Sequence, residues 1–146
     1  MKYIAFLLAI LLPICSLIMY GDSIKSFSTL VNTNLNFMFV LLNITTGYCF
    51  INLKYWEITG WILILLTAFN VEQYHLLHNF LGTLFFISCA LSIYYGVQTM
   101  RKWIYGYVAV VLLTCWFGLF WMETALVYFL VVFHKSYIDK FWRLKN

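Results

Sequence analysis

His75, His78, Asn79 and Gly82 stand at i, i+3, i+4 and i+7, so a helix through them carries all four on one stripe. Imidazoles and carboxylates brought together can move protons, hold a polar ligand or ligate a metal. Glu72, just upstream, and Glu123, far downstream, are the acids available to that stripe. Gly82, lacking a side chain, would let a neighbouring backbone approach it closely. Metal chemistry is poorly served, because the best third ligand, His134, falls near the opposite membrane face once spans are assigned; no metal or other cofactor is expected. No Ser-His-Asp order, Gly-rich phosphate loop, H-E-x-x-H or basic recognition helix occurs. An enzymatic reading therefore rests on His75 or His78 as base or ligand and Glu72 or Glu123 as acid.

These residues are set in a chain suited to lipid. Of 146 residues, 64% are hydrophobic, 21% aromatic and only 10% charged, whereas soluble domains are about 45–50% apolar and about 25% charged. At about 20 residues per transmembrane helix, the length holds roughly five or six spans. A catalytic or nucleic-acid-binding domain outside the bilayer is excluded. Residues 1–146 are expected to form one all-α, polytopic membrane bundle.

Apolar runs at 3–20, 37–53, 55–69 and 75–99 are separated by a Ser-, Thr- and Asn-rich loop at 21–36, by Lys54, and by Asn70, Val71, Glu72 and Gln73. The first run contains Pro13 and is followed by no A-x-A-like cleavage site, so it is expected to remain as the first helix. The stretch 103–133 is apolar apart from Glu123. One helix of that length would be about 46 Å long against a hydrocarbon core of about 30 Å, and would tilt more than such helices do. Two spans, broken around 116–121 at Gly118, avoid this and keep Glu123 away from the bilayer centre.

Six spans with both termini cytoplasmic put Lys2, Lys54, Arg101, Lys102, Lys135, Lys140, Arg143 and Lys145 inside and leave Lys25 outside. Five spans would destroy that asymmetry. The six-span arrangement gathers Asp22, Asn32, Asn34, Asn36, Asn70, Glu72, Gln73, His75, His78, Asn79 and Glu123 at or near the non-cytoplasmic face. Such a cluster serves either as helix caps and interhelical hydrogen bonds or as a pocket for a lipid headgroup or small polar ligand.

Asn43, Thr45 and Thr46 form a second polar spot within the second span, where interhelical hydrogen bonding is the expected use and a glycosylation sequon is inaccessible. Gln98 reads as interfacial. Cys15, Cys49, Cys89 and Cys115 are isolated in apolar runs and suggest neither a disulfide framework nor a zinc site.

Thr59-Gly60-Trp61, then Ala68-Phe69-Asn70-Val71-Glu72, His75-x-x-His78-Asn79-x-x-Gly82, Phe85-Phe86 and Tyr94-Tyr95 resemble the Frag1/DRAM/Sfk1-like membrane proteins. The C-terminal run is similar too, with Glu123, Tyr128-Phe129-Leu130-x-x-Phe133 and Asp139-x-Phe141. This chain is shorter, with a turn where that family has a longer loop between the last two spans. The resemblance implies six helices with cytoplasmic ends and a role in membrane-lipid handling or in modulating other membrane proteins, with Glu72, His78 and Glu123 in the outer polar cluster.

The leading expectation is a non-enzymatic protein of the plasma or bacterial inner membrane. Its candidate ligand-binding residues are Glu72, His75, His78, Asn79 and Glu123, and its partners are membrane lipids or another membrane protein, not nucleic acid. The alternatives are an accessory subunit of a larger membrane complex and an intramembrane lipid-modifying enzyme.

Overall fold

The computed structural model of the chain describes residues 2–69, 71–96 and 100–143, with the backbone alone for Lys2, Asp22, Cys115 and 138–143. Six α-helices follow one another: α1 Lys2–Tyr20, α2 Asn36–Ile51, α3 Glu57–Ala68, α4 His75–Tyr95, α5 Trp103–Thr114 and α6 Leu119–Arg143. No strand occurs among the described residues. Three stretches are long and apolar enough to cross a membrane, Tyr3–Tyr20, His75–Tyr95 and Leu119–Tyr137, whereas α2, α3 and α5 are shorter apolar helices.

Helix ends follow local chemistry. The chain leaves α5 through a 3-10 turn, Cys115–Phe117, and re-enters α6 after Gly118, whose φ of 97° is a left-handed backbone that glycine adopts without penalty. This break lies inside the stretch where two helices were expected. The third helix begins at Glu57 rather than 55, because Tyr55 takes φ 73° in the tight link from α2. Ser92 Oγ donates to the Tyr55 carbonyl at 2.7 Å and holds that link against α4. The fourth helix stops at Tyr95, short of 99, with the Gly96 N–H returning to Ser92 O. Pro13 lies inside a continuous α1.

The helices form a ring: each packs on its neighbours in the chain, and α1 also packs on α6. Antiparallel neighbours with short links put the 21–35 loop, the start of α4 and the start of α6 at one end of the bundle. One apolar core joins α2 to α6 around Phe50, Trp56, Cys89, Ile93 and Phe133. A second joins α1, the first loop, α2 and the start of α6 around Leu12, Phe27, Leu30, Phe39 and Phe120. Large apolar side chains also cover the outside, Leu76 being 84% and Trp116 90% exposed, which is a liability in water and ordinary in lipid.

The tightest crossing is between α2 and α3. A Cβ added to Gly60 would lie 2.5 Å from the Gly47 carbonyl oxygen, and one added to Gly47 would lie 3.0 Å from Gly60 O. Backbones meet there because neither residue has a side chain, the usual device for close helix contact in membranes. Gly82 does not do this: nothing lies within 4 Å of its would-be Cβ. That corrects the close approach expected at Gly82.

Polar links between helices come from hydroxyls outside the candidate polar cluster. Thr59 and Ser92 hydroxyls pair at 3.0 Å between α3 and α4, Tyr107 donates to Phe86 O at 3.0 Å between α5 and α4, and Tyr128 donates to Ile10 O at 3.3 Å between α6 and α1. Thr45, expected to bond across helices, donates instead to Leu41 O of its own helix at 2.7 Å. Its hydroxyl thereby stays satisfied without a partner helix.

Gly60→Ala is expected to destabilise the detergent-solubilised protein by about 1–3 kcal/mol, because the methyl group meets backbone that cannot yield. Gly82→Ala is expected to be neutral within about 0.5 kcal/mol. Thermal unfolding of the two variants side by side checks the contrast.

Candidate ligand-binding cavity

The middle of the ring is hollow. A cavity of about 510 Å³ is walled by α1, α2, α3, α4 and α6, and Phe27 and Ser28 of the first loop reach it. Most of its wall is Ala, Leu, Val and Phe, with Asn43, Thr46, His78, Asn79, Glu123 and His134 as its larger polar groups. Pockets for small amphiphiles have this character, apolar with a few placed polar groups.

Glu123 is set in the second turn of α6 and accepts the Phe27 N–H at 2.6 Å. One turn earlier, the Phe120 N–H, which has no intrahelical acceptor so near a helix start, donates to Lys25 O at 3.0 Å. The Phe27 and Phe120 rings pack at 5.2 Å. Two backbone-directed bonds and a ring pair thus fasten the first loop across the start of α6. The loop is otherwise held by its own turns: Thr29 Oγ1 donates to Ser26 O at 2.6 Å, Thr33 Oγ1 to Leu30 O at 2.8 Å, and the Asn34 N–H reaches the Tyr20 hydroxyl at 3.2 Å.

His78 is buried on the first turn of α4, and its Nδ1 lies 2.7 Å from Phe69 O at the end of α3. Asn79, next to it, lines the cavity and places its Nδ2 3.2 Å from His75 Nε2. The helical spacing that put these residues on one stripe is therefore realised, but only part of the stripe turns inward. His78, Asn79, Gly82 and Glu123 line the cavity, Asn79 at an exposed rim, whereas His75 and Glu72 are exposed and do not line it. Gly82 supplies empty space rather than a helix contact. Asn70 and Gln98, with the side chain of Asp22, lie outside the described residues.

Three wall residues had been assigned elsewhere. Asn43 and Thr46 face the cavity instead of a neighbouring helix. His134 reaches the same cavity three helical turns beyond Glu123: 11 residues is close to a whole number of turns, so the two share a face of α6 about 16 Å apart. Its Nδ1 lies 2.8 Å from Leu130 O, its ring stacks on Phe50 at 4.7 Å and meets Trp56 edge-on at 4.4 Å, and its Nε2 is buried with no partner. The signal for it in the sequence was the i, i+11 relation to Glu123. Among the described residues no group of three His, Cys, Asp or Glu is placed to hold a metal ion.

The chain matches no protein-family model, no curated protein and no solved structure. The functional reading is therefore carried by the cavity's own residues.

Glu123→Ala removes the acceptor of a part-buried backbone N–H, which costs about 1–3 kcal/mol. Glu123→Gln keeps an oxygen in place and is expected to retain most of that stability. Hydrogen exchange at the Phe27 amide checks this: at least about tenfold faster in the alanine variant than in the wild type, and little changed in the glutamine variant.

Proposed function

We propose that this is a non-enzymatic, six-span membrane protein with both termini in the cytoplasm, which holds a membrane lipid in the hollow of its helix ring. The headgroup sits among His78, Asn79 and Glu123 at the non-cytoplasmic end and the acyl chain lies along the apolar wall. The observation that carries the reading is the central cavity of about 510 Å³, mostly apolar, with His78, Asn79 and Glu123 grouped where α4 and α6 begin.

Charge distribution supports the orientation. Lys54 lies in the α2 to α3 link, Arg101 and Lys102 in the α4 to α5 link, and Lys135 late in α6, all toward one end; Lys25 lies in the loop at the other. Cytoplasmic enrichment of Lys and Arg makes the first end the inner one. Three of the six helices are short for a span, and local thinning of the bilayer would accommodate them. The same six-helix plan is what the resemblance to Frag1/DRAM/Sfk1-like proteins implies, and we place the chain beside that family in lipid handling.

Binding is favoured over catalysis by how the polar groups are spent. Glu123 takes a backbone N–H from the first loop and His78 faces a backbone carbonyl of α3. The acid and the imidazole are each committed to holding an element in place instead of to one another, as general acid and base chemistry asks.

A side chain at Gly82 would enter the open space of the cavity. Gly82→Leu is therefore expected to cut lipid co-purifying with the protein by about fivefold or more while unfolding temperature stays within a few degrees, since overpacking is felt only where contacts exist. Undiminished lipid in a well-folded Gly82→Leu protein counts against the reading. Topology is checked separately with an epitope after Asn146 and a cysteine at Ser23: the epitope is expected to be shielded in intact cells and the cysteine to react with an impermeant maleimide.

A further inference from the structure

We infer that the occupant is an amphiphile bearing a protonated amine, its ammonium at Glu123 and its alkyl chain along α6 toward His134. This rests on the lipid-binding reading and adds the charge and donor character of the ligand.

The polar wall is rich in acceptors. A carbonyl oxygen can only accept, so Nδ1 of His78, 2.7 Å from Phe69 O, carries that ring's proton, and in the neutral ring Nε2 is left with a lone pair. His134 repeats the arrangement against Leu130 O at 2.8 Å, and its Nε2 is buried without any partner. Glu123 adds a carboxyl group whose partner is the single N–H of Phe27. No Lys or Arg lines the cavity among the described residues. An anionic headgroup entering at Glu123 would face a carboxyl group with no Lys or Arg among the described wall residues to offset its charge, which a medium of low dielectric penalises heavily. An ammonium brings three N–H donors and the missing positive charge.

The apolar part of the ligand has a defined course. Leu126, Val127 and Leu130 line the cavity on the same side of α6 between Glu123 and His134. That course of about 16 Å suits an extended alkyl chain. Two sources carry this chemistry, an aminolipid of the bilayer and a free long-chain amine.

The test uses the full-length protein in a neutral detergent, with native mass spectrometry of complexes formed with dioleoyl phosphatidylethanolamine, phosphatidylcholine, phosphatidylglycerol, decylamine and decanol. Phosphatidylethanolamine is expected to be retained about tenfold better than phosphatidylglycerol. It is also expected to exceed phosphatidylcholine, whose quaternary nitrogen has no N–H. In Glu123→Gln, which keeps the Phe27 bond, the preference over phosphatidylglycerol is expected to fall to within about twofold. Displacement of the lipid by decylamine but not by decanol identifies a free amine as a competent ligand; no displacement identifies the bilayer aminolipid. Equal or better retention of phosphatidylglycerol by the wild type overturns the inference and leaves lipid binding standing. Retention of none of the five overturns both. If Glu123→Gln does not stay monodisperse, the wild-type order of the three phospholipids decides alone.

Discussion

One carboxyl oxygen, that of Glu123, receives the backbone N–H of Phe27 from 96 residues away, and the shape of the bundle depends on that bond. In an apolar surrounding every backbone donor needs a partner, because no water is at hand to supply one. The first loop makes 3-10 turns that satisfy part of its backbone, and α6 begins with N–H groups that its own helix cannot satisfy. Each supplies what the other lacks: Lys25 O takes the Phe120 N–H and Glu123 takes that of Phe27. The loop that leaves α1 is thereby fastened to the start of α6. First and last helices become neighbours, and a row of consecutive hairpins closes into a ring.

A closed ring of six has a middle, and what fills it depends on the side chains turned inward. At the α2 to α3 crossing, Gly47 and Gly60 let two backbones meet, so no space remains. Between α4 and α6 the inward residues include Gly82 at one wall and Leu126 and Leu130 at the other, and the walls stay apart. The same residue type thus closes one seam and opens another, according to whether a second glycine faces it. Polar links follow a similar economy. Tyr107 and Tyr128 direct their hydroxyls at backbone carbonyls of neighbouring helices, and Ser92 directs its own at the link between α2 and α3. These bonds fix helix against helix without placing charge in the apolar zone.

Helix positions were legible because apolar runs and their polar punctuation report them directly. The break at Gly118 could be placed from length alone, since a single helix through it would outrun the membrane. His78, Asn79 and Glu123 were legible as a polar cluster at one end of the bundle because isolated polar groups in apolar helices have few places to go. The direction in which each helix faces was not. These helices are apolar all round, so no polar face fixes their rotation. Asn43 and Thr46 were accordingly assigned to a helix contact and line the hollow, while His75 and Glu72 were grouped with it and are exposed outside its wall. His134 was set apart by its distance along the chain axis, yet a cavity that follows α6 from Leu119 onward reaches it.

Helix length adds the last constraint. α5 has 12 residues, about 18 Å, whereas its neighbours α4 and α6 have 21 and 25, about 31 and 37 Å. It leaves the end of α4 at the link holding Arg101 and Lys102 and stops at Thr114, four residues short of α6, so its far end lies at the end of the bundle where α4 and α6 begin. No residue of α5 lines the cavity. Asn79, Gly82, Thr83, Leu119 and Glu123 lie at that end on the cavity wall, and Asn79, Thr83 and Leu119 are exposed. Leu76 and Phe80 at the same level of α4 are exposed. The wall is therefore exposed between α4 and α6 at the end where Glu123 meets the first loop, although α5 reaches that level.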